Sequence, residues 1–178
     1  MIVAKQVADF ITLTRALLIV VFTWLGITRG EEGLPFAAVL LIYSWTSDSI
    51  DGPIARRSSR YYHSWLGDHD LEVDISVSIG VLLYVLLAGY LPLVVGAAYL
   101  LIWLFVFYFF GFYRSLGMLF QAPLYGYLIW LSLRYAPNYG LSMIIWVLAA
   151  LVLTWPRFPR EVVPGFLKGF RAIGRLKH

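Results

Sequence analysis

The sequence has no cysteine, which excludes disulfides and thiolate metal sites and leaves oxygen and imidazole as the available metal ligands. Charge is almost as scarce. Only 13% of the 178 residues are Asp, Glu, Lys or Arg, against about a quarter in ordinary soluble domains. Internal repeats and low-complexity tracts are also missing, as is any polar stretch long enough to form a second, soluble domain. What fills the chain is apolar: 61% of it is hydrophobic, and 17% is Phe, Trp or Tyr. Such a composition belongs to an integral membrane protein.

A membrane-spanning helix needs roughly 20 mostly apolar residues. Apolar runs bounded by Gly, Pro and charge place six spans near 10–28, 35–50, 71–90, 92–111, 117–134 and 139–155. The expected fold is therefore an all-α, polytopic bundle of six transmembrane helices forming a single domain over 1–178. Only the connection from Asp51 to Asp70 is long. The first run follows a single lysine and lacks a small-x-small cleavage site, so it reads as a retained span rather than a signal peptide.

The formal net charge of +4 does not point to nucleic acid, because the basic residues lie in connections and in the tail, where anionic headgroups would meet them. With the N-terminus in the cytoplasm, Lys5, Arg56, Arg57, Arg60, Arg114 and the basic residues of 156–178 share one side. Arg29 and Arg134 fall on the other. This bias matches the positive-inside rule and predicts that both termini and the long connection are cytoplasmic. Phe166, Phe170 and Ile173 at helical spacing would suit a short helix on the headgroups, with a frayed basic tail as the alternative. Trp24, Trp65 and Trp155 fall near span ends and read as interfacial anchors.

Six of the ten acidic residues crowd between Asp48 and Asp74, at the end of the second span and the start of the third. An unpaired carboxylate in the hydrocarbon costs on the order of 2.5–3.5 kcal/mol at mid-span and less toward the interface. Asp48 and Asp51 stand three apart and Asp70 and Asp74 four apart, so each pair projects from one helix face. If the connection brings both pairs to one depth, four carboxylates converge and repel. One or two divalent cations resolve that repulsion, and an all-oxygen shell favours Mg²⁺ or Mn²⁺. Two such ions can clamp a diphosphate. The plainer alternative is a solvated acidic loop with Asp70, Glu72 and Asp74 at the positive end of the third helix.

Residues between the pairs suit phosphate chemistry. Gly52 removes a side chain where a nucleotide could approach the backbone, Ala55 keeps that face open, and Arg56 adds a permanent cation. Each also has an ordinary reading: Gly52-Pro53 as a helix break, and Arg56-Arg57 as a topogenic pair. His63 and His69 read as loop residues.

Together, Asp48-x-x-Asp51-Gly52-x-x-Ala55-Arg56, Gly67 and Asp70-x-x-x-Asp74 resemble the signature of the CDP-alcohol phosphatidyltransferase family. The first half matches at every fixed position. In the second, ten residues separate Arg56 from Gly67 and two separate Gly67 from Asp70, so the loop is longer and the glycine is displaced from the family's G-x-x-x-D-x-x-x-D. A register through Asp68 and Glu72 keeps the spacing but loses the paired aspartates. Upstream, Asp9-x-x-Thr12-x-x-Arg15 is similar to the family's N-x-x-T-x-x-R at the opening of the first helix, with aspartate in place of asparagine.

The resemblance implies a phospholipid-synthesis enzyme that moves a phospho-alcohol group from a CDP-alcohol, CDP-diacylglycerol foremost, to an acceptor hydroxyl and releases CMP. It implies Asp48, Asp51, Asp70 and Asp74 as ligands of two Mg²⁺ or Mn²⁺ ions, Asp74 also as the catalytic base, and Gly52, Arg56, Ser64, Asp9 and Thr12 near the donor. Arg114 and Gln121 are candidates for an acceptor pocket; Arg114 could equally be a positive-inside anchor, and Gln121 could simply bond a neighbouring helix. A homodimer in the bilayer is compatible with the family. Two other readings stay open: a divalent-cation transporter or channel, since intramembrane carboxylates mark ion pathways, and an inactive homologue serving as an assembly partner.

Overall fold

A computed structural model describes residues 4–56 and 70–155, together with 160, 164 and 166; within the helices, side chains are described from 10 to 50 and from 71 onward. Among the described residues the chain forms six α-helices and no strand: α1 Ala4–Arg29, α2 Leu34–Arg56, α3 Asp70–Leu87, α4 Leu93–Phe110, α5 Arg114–Tyr135 and α6 Pro137–Leu153. They correspond one to one with the six apolar runs. Three stretches are long and apolar enough to cross a membrane: Phe10–Ile50, which takes in most of both α1 and α2, Leu93–Phe110 and Arg114–Tyr135. α6 is apolar but has 17 residues, and α3 carries Asp70, Glu72 and Asp74 in its first two turns.

The helices depart from the expected spans in two informative places. α2 does not stop at Gly52-Pro53 but continues to Arg56. Proline removes a single backbone donor, and such a loss is tolerated in membrane helices where neighbouring groups re-satisfy the freed carbonyl. Arg114 and Ser115, expected in a connection, form the first turn of α5. Trp24 and Trp155 are exposed, as anchors must be. Trp65 and the proposed headgroup helix through Phe170 and Ile173 lie outside the described residues.

The chain divides into two compact units, Met1–Leu91 and Pro92–His178. In the first, α1 and α2 form a hairpin closed by a 3-10 turn at Gly30–Gly33, and α1 packs against both α2 and α3 while α2 and α3 touch lightly. Residue pairing shows the directions. Thr14 meets Tyr43, with 2.8 Å between their hydroxyls, so α1 and α2 are antiparallel. Ile19 faces Gly80 and Gly26 faces Tyr84 and Leu87, so α1 and α3 run parallel. A Cβ on Gly80 would lie 2.9 Å from the Ile19 Cα, and one on Gly26 would lie 3.2 Å from the Tyr84 carbonyl oxygen. Each helix thus offers a glycine to the other's backbone, the small-residue contact that replaces hydrophobic driving force between helices in lipid.

The two faces of α1 explain its setting. Thr12, Arg15, Leu18, Phe22 and Leu25 are buried at helical spacing, whereas Phe10, Leu13, Leu17, Val20, Trp24 and Ile27 form an exposed stripe. In water such a continuous apolar stripe would drive association. Lipid is the solvent that fits it. The hydroxyls obey the same constraint, bonding carbonyls of their own helix: Thr23 to Ile19, Thr46 to Ile42, Ser47 to Ser44 and Ser78 to Asp74.

α3 ends in a left-handed glycine. Gly89 has φ +81°, its N–H bonds the Leu86 carbonyl at 3.1 Å, and the Tyr90 N–H bonds that of Val85 at 3.0 Å, the paired closure that satisfies terminal carbonyls. At the same end the hydroxyls of Tyr84 and Tyr90 donate to the Gly30 and Glu31 carbonyls, tying α3 to the α1–α2 turn.

In the second unit, Tyr99, Trp103 and Phe107 recur every fourth residue on α4, with ring centroids 5.5, 5.6 and 5.9 Å from that of Phe120 on α5. Pro123 lies inside α5 and cannot donate to the preceding turn. There the Tyr99 hydroxyl donates to the Phe120 carbonyl. Ser115 is buried and donates to the Phe166 carbonyl at 3.1 Å.

Candidate active site

The polar end of the first unit is organised by one cation. Arg15 lies on α1 one turn beyond Thr12, on the same face, and its side chain is 1% exposed. A guanidinium so far out of water requires anionic partners, since stranding it alone would cost several kcal/mol. It has two. Nη1 donates to Asp48 Oδ1 at 3.0 Å and Nη2 donates to Asp74 Oδ1.

Asp48 comes from the last third of α2, and Asp74 follows the first turn of α3. Because α2 runs antiparallel to α1 and α3 runs parallel to it, the C-terminal end of α2 and the N-terminal end of α3 lie beside the same stretch of α1. That topology brings residues distant in sequence onto one guanidinium. Carboxylates brought onto one guanidinium repel each other, by roughly 4 kcal/mol for two unit charges at about 4 Å and an effective dielectric near 20, and the shared arginine offsets this. Asp48 is 48% exposed and Asp74 27%, so both extend from the buried guanidinium to the surface of the unit.

The other expected site residues fall as follows. Asp51, Gly52 and Arg56 continue α2 beyond Asp48, and Asp70 begins α3 one turn before Asp74. Asp9 and Thr12 lie on α1 ahead of Arg15, and Thr12 is buried. Ser64, Gly67, His63, His69 and the register through Asp68 lie outside the described residues. Arg114, exposed, and Gln121, partly exposed, belong to α5 in the second unit.

Arg15 was the residue that sequence reasoning undervalued. It figured in the Asp9-Thr12-Arg15 motif with no role of its own, although a lone cation inside an apolar run is a signal that carboxylates must come to meet it.

A divalent Mg²⁺ or Mn²⁺ ion needs several hard oxygen ligands. Among the described residues no three candidate ligands gather at one point. Asp48 and Asp74, which meet on Arg15, offer only hard oxygen, and among the described side chains one arginine faces both carboxylates. That chemistry fits Mg²⁺ or Mn²⁺.

A helical chain with long apolar helices, in which two carboxylates from different helices meet on one buried arginine, is by class an integral membrane protein with a polar site. The chain belongs to the CDP-alcohol phosphatidyltransferase family, whose model matches residues 5–156. No match was found among curated proteins or solved structures. Membership implies a transferase of phospholipid synthesis that uses a CDP-alcohol and a hydroxyl acceptor, in a family generally dependent on a divalent metal.

Proposed function

We propose that the protein transfers a phosphatidyl or related phospho-alcohol group from a CDP-alcohol, CDP-diacylglycerol foremost, to an acceptor hydroxyl with release of CMP. The observation that carries this reading is the meeting of Asp48 and Asp74 on Arg15. It draws together the helix end bearing Asp48-x-x-Asp51-Gly52-x-x-Ala55-Arg56 and the one bearing Asp70-x-x-x-Asp74, the two halves of the family's signature.

Asp48, Asp51, Asp70 and Asp74 would hold two Mg²⁺ or Mn²⁺ ions, which when bound supply the positive charge that a diphosphate and a departing CMP require. The chain's own residues do the rest. Gly52 leaves the backbone open to the nucleotide, and Arg56, Ser64, Asp9 and Thr12 bind the donor. Asp74 accepts the proton of the acceptor hydroxyl as that oxygen bonds to the phosphorus bearing the lipid. The bond from this phosphorus to the bridging oxygen breaks, and its electron pair leaves with CMP. Arg114 and Gln121 contribute to acceptor binding.

The match across residues 5–156 takes in nearly all of the first unit and the second as far as residue 156, which supports a single functional domain of six spans. The bias of basic residues supports cytoplasmic termini and a cytoplasmic active site, and a homodimer is compatible with the family. Purified protein given CDP-diacylglycerol, Mg²⁺ or Mn²⁺, and a panel of glycerol phosphate, inositol phosphate, serine and simple alcohols should release CMP with one acceptor class. Folded protein that releases none with any acceptor would refute the enzymatic reading and favour a transporter or an inactive homologue.

A further inference from the structure

Arg15 does more than neutralise its surroundings. α2 and α3 touch lightly, and each packs against α1, and the Arg15 guanidinium bridges Asp48 of one to Asp74 of the other. Its terminal nitrogens engage Oδ1 of each, and an ionised carboxylate has two oxygens and about four lone-pair directions. Binding to arginine therefore leaves acceptor capacity on both groups for a cation. A planar fork holding two carboxylates fixes their directions as well as their charge.

We propose that Arg15 is a positioning residue for the divalent-metal site: its guanidinium holds Asp48 and Asp74 in the arrangement that an incoming Mg²⁺ or Mn²⁺ ion meets, and so sets the protein's affinity for that ion. The inference rests on the metal-dependent reading above. Groups that hydrogen-bond to ligating carboxylates typically alter metal affinity by about 10–100-fold when removed. Loss of Arg15 frees each carboxylate to rotate and to repel the other, and ion binding must then supply the order that the guanidinium had provided. The opposite expectation, that removing a positive charge tightens metal binding, applies only if Arg15 is a competitor for the site.

The test is direct Mn²⁺ binding to the full chain in detergent, read from the free-ion electron paramagnetic resonance signal, with thermal melting followed in parallel. The unaltered protein should bind Mn²⁺ saturably. Arg15→Met should weaken binding at least 10-fold, and Arg15→Lys, which retains a cation but cannot fork between two carboxylates, should fold normally and bind several-fold more weakly. If Arg15→Met fails to fold, the lysine variant decides. Binding by Arg15→Lys equal to or tighter than that of the unaltered protein overturns the positioning role while leaving the metal reading intact. No saturable binding by the unaltered protein overturns both.

Discussion

Asp48 and Asp74 show how the surroundings of a side chain determine its use. Both are acids in a chain with only 13% charged residues, both touch the same buried arginine, and Asp74 is the less exposed, deeper toward α1. In the proposed reaction Asp74 would take a proton from the acceptor while remaining part of an ion site, and lower exposure suits that role, because water is partly excluded and the carboxylate's position is fixed. Asp74→Asn preserves shape and hydrogen-bonding capacity but cannot accept the proton. The expected result is a loss of CMP release of about 10²-fold or more, with CDP-lipid binding, measured by calorimetry or ligand-dependent melting, still detectable. Full activity in this variant would remove Asp74 from the role of base.

At the scale of elements, the site depends on α1 lying between α2 and α3 at close range. The reciprocal contacts of Gly26 and Gly80 set that range. Gly80→Leu places a side chain where even a Cβ lies 2.9 Å from the Ile19 Cα, and separating the backbones costs about 1–3 kcal/mol as overpacking. Thermal melting in detergent should fall by several degrees, and CMP release should fall with it because Arg15 withdraws from Asp74. A Gly80→Leu protein with unchanged melting and activity would show that close contact does not position the site.

The helices themselves were legible in the sequence because apolar runs long enough to span a bilayer, broken by Gly, Pro and charge, are a local signal. The destination of Arg15 was not, since which carboxylates meet it depends on the parallel course of α1 and α3, fixed by contacts some sixty residues apart such as Arg15 with Asp74. Nor was the continuation of α2 through Pro53, because the rule that proline breaks helices is one for water. The Asp48–Asp51 and Asp70–Asp74 spacings were readable as two helix faces, while their approach required the fold.

For the whole molecule, orientation is the property that composition predicts and lipid enforces. The absence of cysteine makes it directly measurable, for single cysteines can be introduced with no background to remove. Glu31→Cys in the α1–α2 turn and Asn138→Cys at the start of α6 should react with a membrane-impermeant thiol reagent applied outside intact cells. His63→Cys and His178→Cys should react only after the membrane is opened. The reverse pattern would place the acidic helix ends outside and detach the site from a cytoplasmic supply of CDP-alcohol.

The proposed function makes one central claim, that the carboxylates of α2 and α3 serve a metal-dependent transfer. The most direct measurement is CMP release from CDP-diacylglycerol by the purified protein across the acceptor panel, with and without chelator, beside Asp48→Asn. The account predicts CMP formation that requires both an acceptor and Mg²⁺ or Mn²⁺, is abolished by chelation, and is lost in Asp48→Asn. CMP formation unaffected by chelator and by Asp48→Asn would contradict it.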